Sequence, residues 1–331
     1  MNSRSVLFLS SPDVRSLLTM DECIAAVELA FRLHGEGRTV PPAVLGVYVS
    51  HGGFHVKAGV LPLSRNYFAA KVNANFPENP ARFGLATIQG MIILCDADNG
   101  CPLAVLDSAD ITALRTAAAT AVASKHLARP DSRAVTICGC GIQGRAQLTA
   151  LSRVFSIESV FAYDKNRESA LKFASEVGAS LNIPIVVADD LAGHLRCSDI
   201  CVTCTTSQEP LILQDDVCPG IFIAAVGADN PHKQEIHSTL MAHSKVVCDV
   251  IEQCAVMGDL HHALDAGIMQ NESVHAELGE IVAGRKRGRE SAEEVIVFDS
   301  TGMALQDVAT AATVYEKAVR EQAGTSLKLA A

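Results

Sequence analysis

The sequence contains no tryptophan, and aromatic residues make up only 5% of its 331 residues. So small an aromatic content argues against the stacking platforms that hold single-stranded nucleic acid. Basic residues number 27 against 37 acidic ones, so no basic surface for a phosphate backbone is expected. Apolar runs stay short of the roughly 18 residues that a transmembrane helix requires. We therefore predict a protein that binds neither nucleic acid nor a membrane.

The sequence also lacks a disulfide or metal framework. Its eleven cysteines are an odd number without regular spacing, which is typical of reduced thiols in the cytosol. Cys201 and Cys204 form a C-x-x-C pair, but no second pair follows at the spacing of a zinc site. The apolar stretch at residues 6–9 is too short for a signal peptide and is predicted to be a strand. We expect a cytoplasmic protein without a bound metal ion.

The chain length and the element pattern predict two domains. Residues 11–37 have the pattern of two helices, with Thr19 or Asp21 as the cap of the second. Five short β-like runs follow, at residues 43–49, 53–58, 67–73, 90–96 and 103–107. We expect these runs to form the sheet of a smaller α+β domain.

A second pattern begins after an alanine-rich helix predicted at residues 111–127. Strands, predicted at residues 134–138, 159–163 and 200–203 among others, then alternate with helices. Two of these helices are predicted at residues 143–154 and 167–176, as in a doubly wound parallel sheet of the Rossmann type. A last helix is predicted at residues 304–321. We assign residues 1–112 with 303–331 to a substrate-binding domain, and residues 113–302 to a dinucleotide-binding domain of an α/β protein.

A glycine-rich turn carries the sharpest functional signal. Gly139, Gly141 and Gly144 form G-x-G-x-x-G between an apolar strand and a helix, with Ile142 and Gln143 between the last two glycines. In this context the glycines permit a tight turn and the close approach of a pyrophosphate, which binds at the helix N-terminus. The turn therefore predicts a dinucleotide site.

Further residues are predicted to contact the dinucleotide. Asp164 ends the next strand, and its carboxylate suits the ribose 2′-hydroxyl of NAD. The basic residues Lys165 and Arg167 suit a 2′-phosphate instead, so NADP stays open as the alternative. Arg145 is expected at a phosphate, unless it is only a surface charge. Thr205 begins a loop at the carboxyl edge of the sheet, where cofactor and substrate meet.

These features, in this order, resemble the ornithine cyclodeaminase/mu-crystallin family, which includes archaeal-type alanine dehydrogenases and cyclic ketimine reductases. The resemblance runs almost from end to end. It rests on five blocks: KVNANFPENP at 71–80, TALRTAAA at 112–119, AVGADNPHKQE at 225–235, ELGEIVAG at 277–284 and FDSTGMA at 298–304. It implies a homodimer in which the sheet of the first domain makes the subunit contact.

The resemblance also implies roles for single residues. It places the substrate lysine of the family at Lys71, its carboxylate-binding arginine at Arg115 and its catalytic acid/base aspartate at Asp229. Thr116 and Ser300 are expected near the cofactor on the same ground. Lys71 and Asp229 are therefore the expected catalytic residues.

The chemistry of the residues agrees with these roles. An enzyme that acts on an amino or imino acid must bind a carboxylate and move a proton at nitrogen. Lys57, Lys71 and Arg115 offer cations within apolar stretches; the alternatives are a snorkelling Lys71 and an Arg115 that only forms a salt bridge between domains. Asp229 follows an apolar strand, although a turn-forming role is open to it. Lys233 is expected to be an exposed residue at the start of a helix.

Two departures from the family pattern bear on the substrate. Ala43 stands where several members carry an arginine, and Lys57 stands where the cyclodeaminase has an acid suited to the distal ammonium of ornithine. We therefore predict an NAD-dependent oxidoreductase that transfers a hydride between NAD(H) and the α-carbon of an L-amino acid/α-imino acid pair. The alternatives are an ornithine cyclodeaminase and a non-catalytic, NAD(P)H-dependent small-ligand-binding protein of the mu-crystallin type.

Overall fold

The computed structural model describes residues 5–328. They divide into two units. The first contains the described residues up to Arg115 together with those from Met303 onward, and the second is Thr116–Gly302. The chain first crosses from one unit to the other within a single helix, Ala109–Leu127.

The elements up to that helix belong to the first unit, and the helix itself continues into the second. They are β1 (Ser5–Leu9), α1 (Ser11–Leu17), α2 (Met20–Gly35), β2 (Ala43–Val49), β3 (Gly52–Pro62), β4 (Asn66–Asn75), α3 (Asn79–Phe83), β5 (Ile88–Asp96), β6 (Pro102–Asp107) and α4 (Ala109–Leu127). A capping box starts α2, because Thr19 and Glu22 each accept a hydrogen bond from the backbone N–H of the other. Thr19 is therefore confirmed as the cap, rather than Asp21.

The second unit alternates strands and helices. Its elements are β7 (Ala134–Cys138), α5 (Ile142–Leu151), β8 (Ser159–Tyr163), α6 (Arg167–Leu181), β9 (Ile185–Val187), α7 (Leu191–Leu195), β10 (Ile200–Thr203), β11 (Phe222–Ala225), α8 (Ser238–His243), β12 (Lys245–Cys248), α9 (Ile251–Met257), α10 (Asp259–Asp265), β13 (Ala276–Glu277), α11 (Leu278–Val282) and β14 (Ile296–Asp299). Two elements of the first unit follow, α12 (Ala304–Glu321) and β15 (Thr325–Lys328).

The first unit is built on a sheet with the strand order β15-β1-β6-β5-β4-β3-β2. Neighbouring strands run antiparallel, except for β1 and β6, which run parallel. Helix α12 packs on β3 and β4 and also on α2. Because side chains alternate between the faces of a strand, Tyr67, Ala69 and Lys71 of β4 share one face, and all three are buried. This alternation places a lysine in the core of the unit.

The second unit is built on a parallel sheet with the strand order β13-β12-β14-β11-β10-β7-β8-β9. Every residue of β10 and β14 is buried, as in parallel sheets that are covered on both faces. From β7 the chain proceeds to β8 and β9 on one side and then to β10 on the other. Ligands of open α/β sheets bind beyond the carboxyl ends of the strands at such a reversal.

The predicted α/β class, a Rossmann-type sheet with a smaller α+β unit, is confirmed. Within residues 5–328, no helix combines the length and the apolar character needed to cross a bilayer. Strand β15 was not predicted, because its side chains are all exposed and leave no apolar alternation. Helix α5 ends at Leu151, before the predicted residue 154, since residues 152–154 form turns. Helix α6 continues beyond residue 176 until Asn182, in the left-handed conformation, ends it.

Candidate functional site

The glycine-rich turn joins β7 to α5. Gly139 has a φ of +102°, which residues with a side chain rarely adopt. A Cβ on Gly144, in the first turn of α5, would overlap the carbonyl oxygen of Gly139. Gly141 is the N-cap of α5, and it brings no side chain between an anion and the N–H groups of the first turn. The turn thus has the geometry of a phosphate cradle.

A cavity of about 260 Å³ lies beside this turn. Its walls come from residues at or after the ends of β7, β8 and β10: Gly139, Gly141, Tyr163, Asp164, Lys165, Cys204, Thr205, Thr206, Ser207 and Leu211. The cavity therefore lies at the carboxyl edge of the sheet, where the strand order reverses. This is the position at which such sheets bind nucleotides.

Asp164 is fixed at the cavity wall by two backbone groups. Its Oδ2 accepts a hydrogen bond from the N–H of Cys140 at 2.9 Å, and its Oδ1 accepts one from the N–H of Asn166 at 2.9 Å. Each carboxylate oxygen has a second lone pair, so Asp164 is also able to receive a ribose hydroxyl. Its negative charge disfavours a phosphate at the same place. The residues present therefore fit NAD.

Three other residues predicted at the cofactor lie on the neighbouring helices. Gln143, in the first turn of α5, and Thr116, on α4, are both half-buried. Arg145 pairs with Glu176 of α6 at 2.8 Å, and its guanidinium lies 5.9 Å from the ring centroid of Phe173. Among the described residues Arg145 is thus directed to α6 and forms no part of the cavity wall. Ile142, the first residue of α5, is exposed.

Glu235 joins the two loops that follow β10 and β11. It is completely buried, and it accepts hydrogen bonds from the N–H of Thr205 at 2.6 Å and from the N–H of Gly227 at 2.8 Å. Burial raises the pKa of Glu235, and the hydrogen bonds that it accepts oppose this effect. This residue was not predicted, because an acid that directly follows the polar residues at 232–234 gives no sign of burial.

Asp229 lies in the loop after β11, four positions before Lys233. Its Oδ1 is 2.7 Å from Nζ of Lys233 and accepts a hydrogen bond from Nδ2 of Asn230 at 3.1 Å. Nζ of Lys233 also donates to the carbonyl oxygen of Gly227 at 3.1 Å. The prediction for Lys233 is therefore wrong: its side chain is only 13% exposed and it lies outside any helix. The carboxylate and the carbonyl draw its ammonium group inward.

The first unit contains the predicted cations. Lys57 on β3 and Lys71 on β4 are directly opposite each other in the sheet, and such partners have their Cβ atoms about 4.5–5.5 Å apart. Both lysines are buried, as is Arg115 on α4. The snorkelling alternative for Lys71 is wrong, because its side chain is only 3% exposed.

One carboxylate joins two of these cations. Both oxygens of Asp307, on α12, are 2.8 Å from Nζ of Lys71, and its Oδ1 is 3.2 Å from Nε of Arg115. The preceding Gln306 accepts a hydrogen bond from Nη1 of Arg115 at 3.0 Å. Asp307 and Gln306 were not predicted as site residues. The charge of Asp307, three residues after Ala304 in a helix with apolar spacing, was nevertheless a usable signal.

The protonation of this cluster follows from its burial. Burial and the neighbouring charge of Arg115 lower the pKa of Lys71 to about 7, although Asp307 acts in the opposite direction. Burial alone would raise the pKa of Asp307, but the charges of Lys71 and Arg115 outweigh it and lower that pKa. The cluster therefore holds one ionised carboxylate and two basic groups, one of which titrates near neutral pH. It is suited to binding an organic anion.

Ser300 is buried next to Asp249 at the end of the second unit. Its hydroxyl donates to Oδ2 of Asp249 at 2.9 Å, and the N–H of Gly302 donates to the same oxygen at 2.6 Å. The structure thus shows Ser300 in a bond that fixes the loop after β14.

Three buried side chains of the second unit form a group that the sequence did not suggest. Possible ligand atoms of Cys248, Cys254 and Asp299 lie within 4.8 Å of one another. Burial raises the pKa of the Cys254 thiol well above its usual value. The thiol therefore keeps its proton, which it donates to the carbonyl oxygen of Asp299 at 3.3 Å.

Known proteins resemble this chain over almost its whole length. An alanine dehydrogenase of Archaeoglobus fulgidus is 39% identical over 323 residues, which are 97% of this chain and 98% of that protein. An archaeal alanine dehydrogenase dimer with bound NAD has a TM-score of 0.93 and 39% identity, with 98% of this chain and 100% of that one covered.

Another similar structure is that of a reductase. The Delta(1)-pyrroline-2-carboxylate reductase of Thermococcus litoralis, in complex with NADH and L-proline, has a TM-score of 0.92 and 36% identity. The likeness covers 97% of this chain and 99% of that one. Residues 4–322 also match the model of the ornithine cyclodeaminase/mu-crystallin family. The chain belongs to the ornithine cyclodeaminase/mu-crystallin family.

Proposed function

We propose that this chain transfers a hydride between NAD(H) and the α-carbon of an L-amino acid/α-imino acid pair. The observation that carries the proposal is the pairing of both Lys71 and Arg115 with one buried carboxylate, that of Asp307. When both bases are protonated, these three groups have a net charge of +1. A substrate carboxylate supplies the negative charge that balances it, and the buried surroundings strengthen that interaction.

Each group has a defined part in the reaction. Lys71, Arg115 and Lys57 bind the carboxylate and thereby hold the α-carbon in place. Bound NAD(H) supplies or accepts the hydride. In the reductive direction the imine carbon gains the hydride and the nitrogen gains one proton, which yields the amine. Asp229, whose side chain is 35% exposed, donates that proton, and it accepts one in the oxidative direction.

NAD, rather than NADP, is the proposed cofactor. The carboxylate of Asp164 stands at the cavity wall in a fixed orientation, which favours a ribose hydroxyl over a phosphate. Two similar structures contain NAD or NADH, which supports the same choice.

The proposed substrates are small imino acids without a distal positive charge. The similar proteins are named for alanine and for Delta(1)-pyrroline-2-carboxylate. Lys57 lies opposite Lys71, so a second ammonium in the substrate, as in ornithine, would be repelled. Because this repulsion disfavours ornithine as the substrate, an ornithine cyclodeaminase is only the second candidate.

An assay of NADH oxidation tests the proposal. The substrates are pyruvate with ammonia, oxaloacetate with ammonia, and Delta(1)-pyrroline-2-carboxylate, each with NADH and with NADPH. We expect turnover with at least one of them and a preference for NADH. Formation of proline and ammonia from ornithine would support the cyclodeaminase. Tight NADH binding without any turnover would support a ligand-binding protein.

A homodimer formed through the sheet of the first unit is also proposed. Strand register and alternation place Leu45, Val47, Phe54, Met91 and Ile93 on the face opposite Lys71, and all five are exposed. A contiguous apolar face of this kind marks an interaction surface, and a two-fold dimer pairs the same patch from each subunit. The alanine dehydrogenase of similar structure is a dimer.

A cytoplasmic location is the last part of the proposal. All eleven cysteines are thiols, and six of them are buried. Thiols persist in the reducing cytosol and are oxidised more readily in secreted proteins, which supports this location.

A further inference from the structure

Asp307 occupies an unusual place for a charged residue. It lies on α12 between Ala304 and Ala311, one turn from each, and both of these residues and Asp307 itself are buried. A carboxylate is costly to bury unless it is paired and accepts hydrogen bonds. Its pairing with both Lys71 and Arg115 is therefore the condition for its presence in the core.

The contacts of α12 fix the direction of Arg115. The guanidinium has five N–H donors in a rigid plane. Nε is directed to Asp307 at 3.2 Å and Nη1 to Gln306 at 3.0 Å. Two consecutive residues of α12 thus accept hydrogen bonds from two donors of the guanidinium. These two bonds fix the orientation of the guanidinium plane.

The same carboxylate acts on the proton of Lys71. Burial and Arg115 favour the neutral amine, whereas Asp307 favours the ammonium through its charge and its hydrogen bond at 2.8 Å. Lys57 also faces this lysine and favours the neutral amine. Among the described residues, Asp307 is the group whose hydrogen bond and charge favour the ammonium of Lys71.

We propose that Asp307 is a positioning residue of the reaction, which aims Arg115 and keeps Lys71 protonated for the substrate carboxylate. The inference rests on the proposed function for the identity of the bound carboxylate. Asp307 does not bind the substrate itself. A carboxylate that merely neutralised a structural lysine would affect folding and the pKa of that lysine, but it would leave the pH profile of kcat/KM unchanged.

The substitution Asp307→Asn tests this inference in two ways. The titration of Lys71 is followed by NMR of protein labelled with ¹³C at the lysine ε-carbon, with Lys71→Arg used to assign the signal. Initial rates give kcat/KM against pH. We expect the Lys71 midpoint to fall by at least about one pH unit, and the alkaline limit of kcat/KM to move with it. KM for the imino acid should rise at least about tenfold above neutral pH, while the Kd of NADH stays unchanged.

Glu316→Gln is the matched control. Glu316 lies on the same helix and accepts a hydrogen bond from the hydroxyl of Tyr67 at 2.9 Å, but it is exposed. Its substitution should leave the Lys71 midpoint and the pH profile as they are in the original protein.

The outcomes separate this inference from the proposed function. An unchanged Lys71 midpoint in Asp307→Asn overturns the inference, whatever the activity. If the original protein turns over no imino acid, a lowered midpoint in Asp307→Asn still upholds the effect of Asp307 on Lys71. The part of Asp307 in catalysis is then overturned together with the proposed function. If Asp307→Asn does not fold, Asp307→Glu decides: the longer side chain should raise KM and leave the midpoint in place, and an unchanged KM would overturn the positioning role.

Discussion

Oδ1 of Asp229 lies 2.7 Å from Nζ of Lys233, and the same ammonium donates to the carbonyl oxygen of Gly227 at 3.1 Å. The lysine thus ties the carboxylate to the backbone of its own loop. Asp229 keeps a partly exposed side chain in a fixed orientation, which is the condition for a group that exchanges a proton with a bound substrate.

Replacement of Asp229 by asparagine removes the proton-transferring group and preserves the shape of the side chain. We expect kcat to fall by about 100-fold or more, since general acid–base catalysis contributes roughly that much. The Kd of NADH should not change. Steady-state rates and a fluorescence titration with NADH measure the two effects.

Asp265→Asn provides the control for this substitution. Asp265 is an exposed carboxylate that faces His261, and its loss should leave kcat unaltered. Equal kcat values for Asp229→Asn and the original protein would refute the proton-transfer role.

The pH dependence of substrate binding should follow Lys71. Burial, together with Arg115, lowers its pKa to about 7. The lysine is charged below this pH and neutral above it, so kcat/KM should fall as the pH rises through about 7. In Lys71→Arg the charge persists to high pH, and this fall should be absent with the same substrate. A fall of equal size in both proteins would assign the titration to another group.

The choice of cofactor should depend on Asp164. In Asp164→Ser the ribose loses an ionised acceptor and a 2′-phosphate no longer meets a negative charge. Hydrogen bonds to charged groups contribute about 1.5–3 kcal/mol, so the Kd of NADH should rise by about tenfold or more. The Kd of NADPH should fall. Unchanged values for both cofactors would show that Asp164 does not face the ribose.

The apolar face of the first sheet should hold the dimer together. Val47→Glu places a charge on this face at the edge strand β2, where Val47 lies opposite Phe54 on β3. We expect light scattering after gel filtration to show a monomer. Val40→Glu is the control, because Val40 is exposed but lies outside the strands, and this variant should stay dimeric. A dimeric Val47→Glu would place the contact elsewhere.

Local patterns in the sequence were sufficient for most of the fold. The strands at residues 134–138, 159–163 and 200–203 and the helix at 304–321 have the predicted bounds. Each of them carries its own periodicity or an apolar run with clear ends. Strand β15 escaped prediction because it lies at the sheet edge with exposed side chains, and so it follows no apolar alternation.

The candidate site was predictable only in part. The glycine turn and Asp164 belong to a local motif, and the lysines and the arginine stand out because their neighbours are apolar. Asp307 is 236 residues from Lys71 and 192 residues from Arg115. Its pairing is a tertiary contact, on which a search of the sequence for local spacing gives no information. The same reason applies to Glu235, which bonds to two loops that follow different strands.

In the proposed reaction, buried cations of the first unit bind the carboxylate of an imino acid. The most direct test of this binding is the KM of the imino acid in Arg115→Lys, which keeps the charge beside Asp307 but loses the planar fork of donors. Arg15→Lys, at an exposed arginine, is the control. We predict that KM rises by about tenfold or more, with the Kd of NADH unchanged. A KM equal to that of the original protein, or a parallel loss of NADH binding, would show that Arg115 does not bind the substrate carboxylate.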